Sequence, residues 1–206
     1  MKATLALFDF DGTLTTKDSY LAFLQYSLGW PKLILKGFLL MPVILLYKVG
    51  ILTNDKAKEA ITIFFYKGWS ANKFEEVSRG FVDKVIDKIL RKEIMDKLTM
   101  HKNLGHHVLV VSASFEDYLM PWCVRENIDL IATQLEVLDG KMTGKFKSGN
   151  CHGIRKIERI KQFLDVAQMN YIYAYGDSKG DLPMLNLANE AYVIKGTTMK
   201  PYSQEV

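Results

Sequence analysis

Cysteine is scarce in this chain. Cys123 and Cys151 are the two among 206 residues, and they form neither a CxxC pair nor a zinc-ligand spacing. A disulfide framework is therefore not expected, and a reducing compartment suits the composition. Basic runs are missing too. The net charge is +4, but Lys and Arg are scattered, so the clustered cationic footprint of nucleic-acid binding is absent and no nucleic-acid partner is expected. There is no low-complexity tract and no internal repeat, and an apolar content of 49% excludes a disordered chain. The first residues, Met1-Lys2-Ala3-Thr4-Leu5, lead to an acidic residue by Asp9, too early for the apolar core of a signal peptide. A cytoplasmic protein is the expectation. The length allows a real hydrophobic core without disulfide or metal staples, as one domain or as a core carrying an insert.

Short apolar runs punctuate the sequence. Thr4 to Phe10 ends in Asp9-Phe10-Asp11-Gly12-Thr13, His107 to Val111 ends at Ser112-Ala113-Ser114, and Tyr171 to Tyr175 ends at Gly176-Asp177. Each predicts a buried strand followed by a turn. Ile131 to Val137 and Ala191 to Ile194 are further strand candidates, and Phe115 to Glu126 and Arg155 to Ala167 have helical spacing. This alternation predicts an α/β fold with a doubly wound, mostly parallel sheet. From about Ser19 to His101 no strand pattern occurs, whereas Phe74, Val77, Phe81, Val85, Ile89 and Leu90 recur at helical spacing. A helical insert is expected after the first strand. Leu138-Asp139-Gly140-Lys141 predicts the turn of a small hairpin.

In open α/β sheets, ligands bind beyond the carboxyl ends of the strands. Asp9, Asp11, Ser112 and Asp177 all stand at predicted strand ends, and Asp181 follows Asp177 by one tight loop between Gly176 and Gly180. Oxygen donors without histidine or thiolate suit a hard cation such as Mg²⁺. Such a cation neutralises phosphate oxygens and lets a carboxylate approach phosphorus. Singly, each piece has a plain structural use: a solvated turn for Asp9-Phe10-Asp11-Gly12, a helix N-cap for Ser112, a solvated helix residue for Lys156. Their joint order along one α/β pattern favours function.

That order resembles a phosphatase of the haloacid dehalogenase superfamily. Asp9-Phe10-Asp11-Gly12-Thr13-Leu14-Thr15 matches the family's first motif, Val110-Val111-Ser112 the second, Lys156 the third and Gly176-Asp177-Ser178-Lys179-Gly180-Asp181 the fourth. The resemblance implies a Rossmann-like core of residues 1–18 and 102–206 with a helical cap of residues 19–101. It implies Asp9 as the nucleophile that forms an aspartyl-phosphate, and Asp11 as the acid that protonates the leaving group and then activates water. Ser112, Ala113 and Lys156 would hold the transferring phosphoryl group, and Asp9, Asp11 (through its backbone carbonyl), Asp177 and Asp181 would hold Mg²⁺. Ser114 competes with Ser112 for the phosphate contact. The substrate would be a small phosphomonoester.

The insert resembles the cap of phosphoserine-phosphatase-like members. Asp18 lies where phosphoserine phosphatases carry a glutamate for the substrate amine, but no arginine precedes Arg79 to meet a substrate carboxylate. Leu33 to Leu52 is almost wholly apolar, interrupted by Lys36, Gly37, Pro42 and Lys48. Its charge-free part, Gly37 to Tyr47, would span about 17 Å as helix at ~1.5 Å per residue, against a hydrocarbon core of about 30 Å. A single crossing would separate Asp9 from Ser112, Lys156 and Asp177. Two arrangements remain. The segment packs in the cap as two helices broken near Pro42, or it lies on an anionic lipid surface with Lys32, Lys36 and Lys48 near headgroups. The second loosely resembles phosphatidylglycerophosphatase C and would put the protein peripherally at the inner face of the membrane. Phosphoryl transfer to an acceptor other than water, and a phosphate- or Mg²⁺-binding regulatory module without turnover, are the other classes. The sequence sets no oligomeric state.

Overall fold

The computed structural model describes residues 3–203. Its main sheet has six strands in the order β3-β2-β1-β6-β7-β8, where β1 is Thr4–Phe8, β2 His107–Phe115, β3 Asp129–Thr133, β6 Tyr171–Gly176, β7 Glu190–Lys195 and β8 Thr198–Tyr202. All neighbours are parallel except β7 and β8. This is the mostly parallel α/β sheet that the alternating pattern predicts.

The period of two explains why β1 sits at the centre. Ala6 and Phe8 face one apolar layer with Val108 and Val110, while Leu5 and Leu7 face the other with Leu109 and Val111. A strand covered on both faces must be apolar at every position, and Leu5 to Phe8 are fully buried. Helices α9 (Ile154–Phe163) and α10 (Leu182–Leu187) cover the second face through Ile160, Met184 and Leu185. The first face packs against α8 (Glu116–Glu126) and against helices inserted after β1.

The inserted stretch is helical, as expected: α1 Ser19–Leu28, α2 Trp30–Gly37, α3 Met41–Lys48, α4 Asn54–Tyr66, α5 Ala71–Phe81, α6 Asp87–Ile89 and α7 Lys92–Asn103. Phe23 is its hub. It contacts the rings of Tyr66, Phe74, Phe81, Phe115 and Tyr118, which ties α1, α4 and α5 to β2 and α8.

Several boundaries differ from the sequence pattern. Ile131 to Val137 is two strands, because the chain leaves the main sheet after Thr133 and β4 (Leu135–Leu138) pairs with β5 (Lys141–Phe146) as the expected hairpin. The helical pattern through Leu98 is broken at Leu90, whose backbone is extended and bridges Thr15. The Arg155 pattern stops at Phe163 rather than Ala167, since Leu164 turns extended and Asp165 caps a separate short turn. Strand β8 has no apolar run. It is a polar edge strand held by pairing with β7.

The packed-core expectation for Leu33 to Leu52 is not met. The helical break falls at Phe38–Leu40, just before Pro42, but Leu35, Phe38, Leu39 and Ile51 are each about 70% exposed (74%, 72%, 69% and 71%). Only Leu40 is buried there, with Leu33, Val43 and Ile44 partly packed. Helices on the outside of a layer can bury one stripe only, and this segment is apolar all round. Trp30–Lys48 is long and apolar enough to cross a membrane by length and composition, and 6% of it is buried.

Candidate active site

Strand register converges the site. Phe8 pairs with Val110 on one side and Tyr175 on the other, so the ends of β1 and β6 lie side by side next to Ser112, which stands inside β2 rather than at its end because that strand runs on to Phe115. Asp9 continues that alignment, its N–H donating to the Tyr175 carbonyl at 2.9 Å. The chain then makes one wide turn, Phe10–Leu14, closed by Thr15 N–H on the Phe10 carbonyl at 3.0 Å. Gly12 has φ 77° in this turn, and a Cβ there would stand 2.1 Å from Asp177 Oδ2. Glycine is required twice over, by conformation and by the close approach of a carboxylate.

Lys156 is the centre of the polar cluster. Only 2% exposed, it donates to Asp9 Oδ1 at 2.5 Å, Asp181 Oδ1 at 2.6 Å and the Val111 carbonyl at 2.8 Å. All three ammonium protons are thus used. Burial acts to lower its pKa, but Asp9 and Asp181 outweigh burial and hold the ammonium well above its ordinary value. Burial, then the Asp181 charge, raises the Asp9 pKa despite Lys156. Asp181 goes the other way: burial opposes ionisation, but Lys156 and the Ser178 N–H and hydroxyl win and lower its pKa. Burial and Asp181 push half-buried Asp177 up to about 6. One cation therefore faces three carboxylates. Oxygens of Asp9, Asp177 and Asp181 lie within 4.8 Å of one another. Hard donors carrying excess negative charge at that spacing fit a cation such as Mg²⁺.

Asp11 lies apart from that trio. Its Oδ1 accepts the Ser19 N–H at 2.6 Å and its Oδ2 accepts the Ser114 hydroxyl. Burial and the Asp18 charge raise its pKa, favouring a form that can give up a proton. Ser112 is fully buried, its Oγ accepting the Ser114 N–H at 3.0 Å, and Ala113 rather than Ser112 lines the pocket wall. Asp18 stands exposed at the rim and caps α1, accepting the Leu21 N–H at 2.8 Å. The pocket, about 450 Å³, is also bordered by Asp9, Asp11, Lys156, Asp177 and Asp181.

Three residues escaped the sequence argument. Lys58 of α4 reaches the pocket, donates to the Ala113 carbonyl at 2.9 Å and lies 4.7 Å from the centroid of the Tyr20 ring. Burial lowers its pKa, opposed by Asp11, Asp18, Asp55 and Asp9. His152 borders the same pocket, packed so that a Cβ on Gly180 would meet its Cε1 at 2.2 Å. Arg91, 9% exposed, donates to the carbonyls of Thr13 at 3.2 Å and Gly12 at 3.3 Å, and to that of Gly196, clamping the turn after Asp9 from behind. None has a local signal. Each acts across more than 50 positions of sequence, except His152, which adjoins the Lys156 helix.

The sequence profile of haloacid dehalogenase-like hydrolases matches residues 6–186. The chain belongs to that family. It is 31% identical to protein CicA of Caulobacter vibrioides over 188 residues, which are 90% of this chain and 83% of that protein. It is 29% identical to a histidinol-phosphatase of Neisseria meningitidis over 218 residues, covering 92% and 89% of the two chains. A substrate-bound phosphoserine phosphatase structure shares the fold with a TM-score of 0.63 at 21% identity, over 93% of this chain and 85% of that one.

Proposed function

We propose that this hydrolase is a Mg²⁺-dependent phosphomonoesterase working through an aspartyl-phosphate on Asp9. The observation that carries the proposal is Lys156 bridging Asp9 and Asp181, with Asp177 close by, so that carboxylates outnumber the cation. Mg²⁺ held by Asp9, Asp177, Asp181 and the Asp11 carbonyl would neutralise the phosphoryl oxygens. Asp9 attacks phosphorus, its carboxylate oxygen bonding to P as the ester P–O bond breaks. Asp11 gives its proton to the leaving alkoxide, then takes one from water, whose oxygen displaces Asp9 and releases phosphate. Lys156 orients Asp9 and steadies charge on the moving phosphoryl group, and the Ala113 backbone borders its oxygens, with Ser112 behind it fixing the turn through the Ser114 N–H. Residues 19–101 act as a cap over a core of residues 1–18 and 102–206, selecting the leaving group.

The cap also bears on substrate. Arg79 is paired with Glu75 on the surface, and the cation that α4 sends into the pocket is Lys58. This favours an anionic substrate without supporting phosphoserine in particular. A second proposal rests on the exposed apolar face of Trp30–Lys48. Between Ser19 and Asn54 there is no Asp or Glu, and the charges are Lys32, Lys36 and Lys48. Such a face suits peripheral contact with an anionic lipid surface.

The experiment is hydrolysis of p-nitrophenyl phosphate with Mg²⁺, with EDTA, and in Asp9→Asn. Turnover is expected only with metal and intact Asp9. Full activity of Asp9→Asn would sink the mechanism, and beryllofluoride binding without hydrolysis of any phosphate would favour a regulatory module.

A further inference from the structure

A second cavity, about 510 Å³, lies between α1, α4 and the α2–α3 stretch. Its walls are Ala22 and Leu24 of α1, Leu33, Leu40 and Ile44 of the exposed stretch, and Phe65 of α4. Leu33, Gly37, Leu40 and Ile44 recur at the i, i+4, i+7, i+11 spacing of one helical stripe, so this is the single face that the segment turns inward. Gly37 leaves the stripe open: a Cβ there would meet nothing within 4 Å. The volume lies in the range of ligand sites, and the walls are mostly apolar with a few polar groups, as the walls of such sites are.

The cavity adjoins the catalytic pocket. Asp18, Leu21 and Ile61 line both. Beyond the pocket, the charged or amide side chains along the cavity are Lys17 and Gln25. At its other side Trp30, 58% exposed, joins it to the outer apolar face. A ligand whose phosphate reaches Asp9 and whose remainder follows this path meets an acidic, cation-binding end and then hydrocarbon.

We propose that the substrate is a phosphate monoester carrying a hydrocarbon chain, and that the chain lies in the groove between α1, α4 and the α2–α3 stretch. This rests on the phosphatase proposal. Burial of each added methylene in such a groove raises kcat/KM by about fourfold until the groove is filled. A small phosphomonoester would leave the groove unused.

The test is a series of n-alkyl phosphates from butyl to decyl, below their micelle concentrations, with Mg²⁺ and p-nitrophenyl phosphate as the reference. The expected result is a rise in kcat/KM of roughly a hundredfold or more across the series, with the decyl-to-butyl ratio collapsing toward one in Ala22→Trp, which fills the groove. A ratio distinguishes filling from general damage, since misfolding lowers both rates together. Turnover of p-nitrophenyl phosphate with a flat wild-type chain-length profile overturns the groove and leaves the phosphatase proposal standing. No turnover of any phosphate overturns both. A long-chain monoalkyl phosphate embedded in anionic vesicles, compared with the soluble series, tells a bilayer source from a free amphiphile, and chain dependence supports the groove in either arm.

Discussion

The Lys156 ammonium lies 2.5 Å from Asp9 Oδ1, although 147 positions separate the two residues in the chain. Both are buried, and Asp181 shares the same ammonium. Removing the cation leaves two buried carboxylates without a countercharge. Lys156→Met is expected to lose activity and to lower stability by about 3 kcal/mol or more at neutral pH. The deficit shrinks as pH falls. Unpaired buried carboxylates have raised folded-state pKa values, so their ionisation destabilises the fold as pH rises and protonation relieves it. Urea unfolding at pH 8 and pH 5 measures this; an equal deficit at both would contradict it.

Gly12 and Asp177 are coupled by space rather than by a bond. Gly12→Ala must adopt φ 77° and move the Asp177 carboxylate, which a Cβ would approach to 2.1 Å. The expected outcome is loss of Mg²⁺ affinity by tenfold or more together with lower thermal stability. Gly105, φ 71° with nothing near its Cβ, serves as control: Gly105→Ala carries the backbone strain alone, about 1 kcal/mol, and keeps its Mg²⁺ affinity in calorimetric titration.

The outer apolar face yields a separate prediction. Leu35 and Phe38 are 74% and 72% exposed, so Leu35→Asp with Phe38→Asp should leave the unfolding midpoint nearly unchanged. Binding to phosphatidylglycerol vesicles in flotation should fall strongly, as should its sensitivity to salt. Wild-type protein that never floats would remove the lipid-surface proposal.

His101 makes stability pH-dependent away from the site. Its ring is buried, bonded to Tyr175 OH at 2.9 Å and to His106 Nδ1 at 2.8 Å. Burial, then the His106 and Lys97 charges, lowers its pKa to about 4. The unfolded chain takes up a proton near the ordinary value of about 6.5, so the neutral folded ring stabilises fully above that pH. The contribution is lost as pH falls from about 6.5 toward 4, on the order of 2–3 kcal/mol in all. Urea midpoints across this window should drop in the wild type and drop less in His101→Gln.

Much of the candidate site was legible because its chemistry is local. Asp9-Phe10-Asp11-Gly12-Thr13 follows an apolar strand directly, and Gly176-Asp177 through Asp181 needs only a strand end and a short turn. The strands were legible for the same reason: burial on both faces leaves a continuous apolar run. Boundaries failed where tertiary partners override a pattern, as at Leu90, drawn extended against Thr15, and at Thr133, after which the chain changes sheets.

By itself the sequence determined the α/β class, the order of the chemistry along the chain and the helical nature of the insert, since periodicity and strand-end residues are properties of neighbours. The tertiary structure decided what those neighbours meet. It set Arg91 against the turn after β1 and Lys58 against the Ala113 carbonyl of β2, separated the Asp11 carboxylate from the Asp9, Asp177 and Asp181 trio, and turned Leu35 and Phe38 outward. An apolar segment records that it avoids water, but not whether protein or lipid replaces the water. One helical stripe facing α1 and α4 is all that the packing can cover, and the rest of that segment is left for another surface.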